Sequence, residues 1–461
     1  MRLVAIGGSD AGISAALRAR ELDSSSDVSV LVADEYPNFS ICGIPYHVSG
    51  EVPDWRNLAH RTAADLEATG MRLHLRTVAE RIDVPAHEVH VVDSRGESGV
   101  VGYEALVVGT GALPVRPRIA GLDTLGHQDG VHVLHSMGDT FSVMETLTER
   151  GARSAVIIGA GYLGLEMAEA LIVRGLDVTQ VEQLPEVLPT VDPELGAAIA
   201  AELRVHGVNV VTGTAVQRIT RADPGKGPRL RVEGASSDGT PFRCDADIIL
   251  IFVGVRPDVD LAATAGATLG VGGAIAVDRT MRTNLPDVFA AGDCAVTHHR
   301  LLGESYIPLG TTAHKQGRIA GENAVGGTRE FAGSLGTQVV KVFDMAVART
   351  GLRDREASKA GFDPVTIAVE ADDHKAYYPG SHRIAMRWTG DRKSGRLLGV
   401  QLYGHRHAEV AKRIDIAAAA IFNEMTVDAV SDLDLSYTPP LGSPWDAVQL
   451  GAQAWVRSLP R

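Results

Sequence analysis

The 461-residue sequence predicts an α/β fold in which two strand–turn–helix units of one plan precede a smaller α+β domain. Three observations predict it. Leu3 to Leu22 and Ala155 to Leu171 repeat one pattern: an apolar strand, a glycine turn, then Ala, Leu, Glu and Arg at amphipathic helical spacing. Fifty glycines against 5% aromatic residues suit many short βα and αβ connections, where glycine supplies positive φ. From about Gly333 onward the pattern changes to alternating strands followed by a long helix.

Each element follows in order. After the first unit, Val28 to Val32, Arg72 to Leu75, Val89 to Val92 and Leu106 to Val108 read as strands, and the segment closes on Gly109-Thr110-Gly111-Ala112-Leu113-Pro114. After the second, Val178 to Glu182 is a strand and Pro193 to His206 a helix, while Ile248 to Val253 is a buried strand running into Gly254-Val255-Arg256-Pro257. The polar stretch Ala222 to Gly239 reads as a hairpin turn. In the last domain, strands Ile384 to Trp388 and Leu397 to Tyr403 precede a helix from His407 to Asn423.

Composition narrows the function classes. With 45% hydrophobic and 22% charged residues, the chain is ordinary globular protein, long enough for two or three cores. A net charge of −13 argues against nucleic acid or an anionic membrane as partner. Three cysteines, Cys42, Cys244 and Cys294, form no C-x-x-C, which fits a reducing compartment and a cytoplasmic enzyme. The N-terminus runs straight into a glycine turn, leaving no room for a signal peptide. The longest apolar run, Ile248 to Val255, falls far short of the roughly 20 residues of a membrane span. No metal site is expected.

In Gly159-Ala160-Gly161-Tyr162-Leu163-Gly164 the first glycine makes the tight turn, the second lets the backbone approach a pyrophosphate, and the third lets helix and strand pack closely. The helix N-terminus then holds the phosphates. Glu182 ends the next strand 23 residues after Gly159, where its carboxylate accepts hydrogen bonds from a ribose 2′-hydroxyl and repels a 2′-phosphate. A Rossmann-like dinucleotide site that favours NADH, with NADPH possible, is the expectation. The first turn, Gly7-Gly8-Ser9-Asp10-Ala11-Gly12, carries serine where the middle glycine usually stands, with Asp34 placed for a second ribose. Thr283 to Asp293, ending Asp287-Val288-Phe289-Ala290-Ala291-Gly292-Asp293, reads as strand, glycine, aspartate.

At these residues the chain resembles the FAD-dependent pyridine nucleotide-disulfide oxidoreductases. The resemblance puts Gly292 and Asp293 on the FAD ribityl chain, and lays Ile307-Pro308-Leu309-Gly310-Thr311 and Gln316 to Gly321 along the isoalloxazine. Thr110, Gly111 and Gly254 join the cofactor-contacting set, and Glu166 matches a glutamate near the nicotinamide and flavin N5. It implies an FAD domain of residues 1–114 and 253–328, an inserted NAD(P)H domain of 115–252, and a dimerisation domain of 329–461 in a homodimer. Phe39-Ser40-Ile41-Cys42-Gly43-Ile44-Pro45-Tyr46 is similar to the single-cysteine branch of coenzyme A disulfide reductase, NADH oxidase and NADH peroxidase, with Cys42 facing the flavin. Tyr377-Tyr378-Pro379-Gly380 and Tyr437-Thr438-Pro439-Pro440 resemble the coenzyme A disulfide reductase segments whose tyrosines reach the partner subunit's cysteine. Two departures stand out: Asn38 replaces the serine of Ser-Phe-x-x-Cys, and Asp10 occupies the place of the oxidases' active-site histidine.

One thiol cannot store two electrons as an internal disulfide, so oxidised Cys42 is either a mixed disulfide with a small thiol or a sulfenic acid. The first state implies a reductase of coenzyme A disulfide or a related low-molecular-weight disulfide, persulfide or polysulfide. Tyr437, assisted by Tyr377 or Tyr378, would protonate the leaving thiolate, and Arg18, Arg20 and Arg61 would grip substrate phosphates. The second state implies an NADH oxidase or peroxidase. A ferredoxin-reductase-like electron carrier or a flavin redox sensor would need no Cys42.

Overall fold

The computed structural model describes residues 1–222 and 229–459. Its first sheet has five parallel strands in the order Val288–Ala290, Ala105–Val108, Arg2–Ile6, Asp27–Leu31 and Arg72–His74. Every residue of Ala105–Val108, and all but the first of Arg2–Ile6 and Asp27–Leu31, is buried. Continuous apolar runs of this kind belong to strands covered on both faces. Helix Asp10–Leu22 covers one face together with helix Gly310–Ala324.

The second sheet repeats the plan with Asn209–Val211, Asp177–Val181, Ser154–Ile158, Ile248–Ile251 and Val131–His132, again all parallel. The chain leaves the first unit through Ala112–Pro114 and returns through Val255–Pro257, two short strands paired antiparallel. Strand Val288–Ala290 then completes the first sheet. The second Rossmann-like unit is thus an insertion in the first.

Each unit also carries a three-stranded antiparallel meander: Val78–Asp83, Glu88–Val92 and Ser98–Gly102 in the first, Thr214–Arg221, Leu230–Ser236 and Pro241–Ala246 in the second. This corrects the hairpin-turn reading of Ala222 to Gly239. Residues 223–228 of that stretch lie outside the described residues, whereas Leu230–Ser236 is the central strand, with Leu230 and Val232 buried at period two.

The third domain is a five-stranded antiparallel sheet in the order Gln338–Val342, Met345–Gly351, Leu397–His405, Arg383–Asp391 and Pro364–Asp372. Helices Val410–Phe422 and Ala447–Ser458 pack on it around buried Trp388 and Trp455. Among the described residues, no helix is long and apolar enough to cross a membrane.

Candidate functional site

The two glycine turns are built alike. Gly7 (φ +115°) and Gly159 (φ +104°) are in the left-handed half of backbone space, and a Cβ at either would sit 2.0 or 2.1 Å from the carbonyl oxygen of Gly109 or Phe252. At Gly12 and Gly164 a Cβ would lie 2.1 and 2.4 Å from the carbonyl oxygens of Gly7 and Gly159, so both helices press directly onto their turns. Gly161 opens into free space, which is where a phosphate must approach. The helices beginning Asp10, Tyr162 and Gly310 lack a side-chain cap from Ser9, Gly161 and Leu309, leaving their first N–H groups for an anion.

Glu182 is buried at the second turn, its two carboxylate oxygens each accepting at 2.8 Å from the Ala160 and Leu184 amides. That fixes the carboxylate beside the phosphate turn and leaves lone pairs for a ribose. Tyr162 has a scaffolding part: its hydroxyl meets Gln338 of the third domain and Thr190, pinning the helix start, and Leu163 packs beside it. In the first unit, Asp34 is half-buried just past its strand and accepts from the Glu35 amide at 2.6 Å. Gly8, Ser9 and Ala11 complete that turn, Gly8 lying against Val32.

Asp293 carries the strongest sign of an absent polar partner. It follows buried Gly292, its Oδ1 is buried without a hydrogen bond, and burial with the nearby charge of Asp10 pushes its carboxyl up to about 6. The Leu309 amide is its one lowering contact, just ahead of Gly310 and exposed Thr311. Ribityl hydroxyls fit such an acceptor, so the residues present suit a flavin dinucleotide at this turn. Thr110 donates to the Asp258 carbonyl at 2.5 Å and Gly111 accepts from the Asp258 amide, while Gly254 accepts from the Val115 amide, closing the hinge between the units.

Cys42 lies in the 3-10 turn Ile41–Gly43, ahead of the short helix Ile44–Ser49. The turn is clamped from behind: Ile44 is fully buried, and Tyr36, Phe39, Trp55 and Phe141 form a ring cluster with centroids 5.2 to 5.8 Å apart. Asn38 adopts φ +58°, a conformation asparagine tolerates far better than most residues, which accounts for the departure there. Cys42 itself is exposed, whereas Cys294 is buried. Burial first, then the charges of Glu166, Asp10 and Asp293, raise the pKa of the Cys42 thiol.

Those charges come from the first two units, and Glu166 leads a network the sequence did not announce. Tyr46 donates to Glu166 at 3.4 Å, and Lys341 of the third domain pairs with Glu169 one turn along the same helix while lying 5.7 Å over the Tyr46 ring. Burial pushes the Glu166 carboxyl up to about 7. Glu166 therefore holds or releases a proton close to neutrality beside Cys42. The i, i+3 spacing of Glu166 and Glu169 was visible in the sequence; their meeting with Tyr46 and Lys341 was not.

Tyr377, Tyr378 and Tyr437 lie apart on the third domain and are 74%, 42% and 45% exposed. Burial first, then the neighbouring Tyr437 hydroxyl, raise the pKa of Tyr377. The three arginines expected to grip substrate phosphates sit in different surroundings. Arg20 donates three hydrogen bonds to the carbonyls of Thr69, Ser24 and Ser26, and Arg18 is paired with Glu322 and Glu21. Helical spacing gave no hint of those carbonyls and acids. Arg61 is exposed.

The family model for pyridine nucleotide-disulphide oxidoreductases matches residues 1–317, and that for the dimerisation domain of the same family matches residues 337–447. The chain belongs to the pyridine nucleotide-disulphide oxidoreductase family. It is an enzyme, an oxidoreductase of a class that works with flavin and a pyridine nucleotide. Among the relatives of this oxidoreductase, the NAD(P)H sulfur oxidoreductase (CoA-dependent) of Pyrococcus furiosus is 36% identical over 96% of this chain and 97% of its own. The coenzyme A disulfide reductase of Staphylococcus epidermidis is 26% identical over 97% and 98%. The solved NAD-dependent persulfide reductase from A. fulgidus superposes with a TM-score of 0.92 at 36% identity, over 99% of this chain and 83% of that one.

Proposed function

We propose that this oxidoreductase is a homodimeric, FAD-dependent NAD(P)H reductase of coenzyme A disulfide or a related low-molecular-weight disulfide, persulfide or polysulfide, acting through Cys42. The observation that carries this is the placement of one exposed thiol where both nucleotide units meet, with Glu166 of the second and Asp10 and Asp293 of the first acting on it. Residues 1–114 and 253–328 hold FAD, residues 115–252 hold the nicotinamide dinucleotide, and residues 329–461 form the subunit contact. Glu182 favours NADH. Three cysteines with no pairing evident from their spacing favour a reducing compartment, the cytoplasm.

Bound FAD, held by the Gly7 to Gly12 turn, Asp34 and Asp293, supplies the two-electron relay between nicotinamide and sulfur. The Cys42 thiolate attacks one sulfur of R–S–S–R, forming Cys42–S–S–R and releasing RS⁻. The partner subunit's Tyr437, with Tyr377 or Tyr378 assisting, donates a proton to that leaving thiolate. Two further electrons cleave the mixed disulfide and restore the Cys42 thiolate with a second RS⁻. Glu166, close to half protonated near pH 7, buffers the thiolate charge as it appears and disappears. Mass spectrometry of protein purified without reductant tests the reading. An adduct of coenzyme A or another small thiol on Cys42 is expected, and a thiol carrying only added oxygen would point to an oxidase instead.

A further inference from the structure

Within electrostatic reach of Cys42 lies a cluster whose two histidines the disulfide chemistry does not use. Asp10, at the start of helix Asp10–Leu22, His314, in the second turn of helix Gly310–Ala324, and His60, after the 3-10 turn Trp55–Leu58, bring one carboxylate oxygen and two imidazole nitrogens within 4.8 Å of one another. The three come from separate elements, each tied down. The His60 amide donates to the Asn38 carbonyl at 2.9 Å, and Asn38 donates in turn to the Gly8 carbonyl of the first glycine turn. The other two elements pack tightly, because a Cβ on Gly317 or Gly321 would lie 2.2 or 2.1 Å from the carbonyl oxygens of Ala11 or Ala15.

We infer that Asp10, His60 and His314 form a binding site for a divalent transition metal of the zinc class. Two imidazoles and a carboxylate are a borderline-soft donor set that suits this class over calcium or magnesium, which prefer oxygen-only ligands. Two ligand atoms already have the required spacing. Asp10 Oδ1 and His314 Nε2 are 3.3 Å apart, close to the about 3.4 Å edge of a tetrahedron with bonds of about 2.1 Å. The imidazole of His60 is exposed and edge-on to that of His314, with ring centroids 6.2 Å apart, so a rotamer adjustment of one exposed ring closes the set.

The orientation of His314 supports the assignment further. Ser14 Oγ, one turn after Asp10, lies 2.9 Å from His314 Nδ1. With a metal on Nε2, the Nδ1–H would donate to this hydroxyl, the outer-sphere arrangement typical of a metal-bound histidine. Three protein ligands leave a fourth position open, as in sites where metal meets a small molecule. Asp10 is also one of the charges acting on Cys42, so the ion would lie within electrostatic reach of that sulfur. The inference does not depend on which disulfide the enzyme reduces.

The test is Zn²⁺ binding to chelator-treated protein retaining its flavin, followed by calorimetry and by the visible d–d bands of Co²⁺ as a substitute. Wild type and Cys42→Ser are expected to bind one ion per chain with similar affinity. His60→Ala and His314→Ala should each bind more than about tenfold more weakly, with unchanged flavin content and near-UV circular dichroism as proof of folding. Should His314→Ala fold poorly, His60→Ala on its exposed loop decides the matter. Wild-type affinity in the His60 variant, or loss of binding on replacing Cys42 alone, would overturn the assignment.

Discussion

Burial, then the charges of Glu166, Asp10 and Asp293, raise the pKa of the Cys42 sulfur. Glu166 is the first of the three, and it titrates near pH 7. Replacing Glu166 by Gln removes a negative charge and therefore lowers the Cys42 pKa. Alkylation of Cys42 should accelerate by roughly two- to tenfold above pH 7, the effect of a shift of up to one pKa unit. The gain should fade well below pH 7, where wild-type Glu166 is already neutral. Equal rates at about pH 8, below the Cys42 pKa, would show that the Glu166 charge does not reach the sulfur. At this scale much of the site was readable from local pattern. Cys42 stood out through the Phe39 to Tyr46 segment, and Glu182 through its distance from Gly159. The partners of Arg20, the carbonyls of Thr69, Ser24 and Ser26, were not readable, because they come from turns whose paths no helical spacing encodes.

The crossing of helices Asp10–Leu22 and Gly310–Ala324 decides whether the first nucleotide turn keeps its shape. The polar groups along it form a ladder: Asp10 and Ser14 meet His314, Arg18 meets Glu322, and Glu21 meets Arg318. The approach depends on Gly317 and Gly321, where a side chain would strike backbone. Gly321→Val is expected to cost at least about 2 kcal/mol in urea unfolding and to lower flavin content; an unchanged midpoint would contradict that role. The repeated strand, glycine turn and helix were evident in the sequence because each combines a buried run with a turn that only glycine satisfies. The strands Val78–Asp83, Ser98–Gly102 and Leu230–Ser236 escaped notice. They belong to meanders with substantially exposed or half-buried faces, so burial marks them with only a few apolar side chains.

Across the whole molecule, the third domain presents an apolar and aromatic surface that the isolated chain leaves uncovered. Leu441 is 78% exposed and Trp445 51%, on the segment that also carries Tyr437. Large exposed side chains clustered this way mark association surfaces. Leu441→Asp combined with Trp445→Glu should yield a monomer in sedimentation velocity that keeps NADH-to-dye activity and loses disulfide reduction; a variant that remains dimeric would separate this surface from assembly. The sequence pointed to a third domain through its change of pattern at Gly333, but the clamps of that domain on the site, Lys341 to Glu169 and Gln338 to Tyr162, involve residues more than a hundred positions apart. The central claim is that electrons leave the flavin through a single sulfur, and replacing Cys42 by Ser tests it most directly. The variant is expected to retain flavin and reduce dyes with NADH at the wild-type rate while disulfide reduction is abolished. Disulfide turnover at the wild-type rate in that variant would contradict the account.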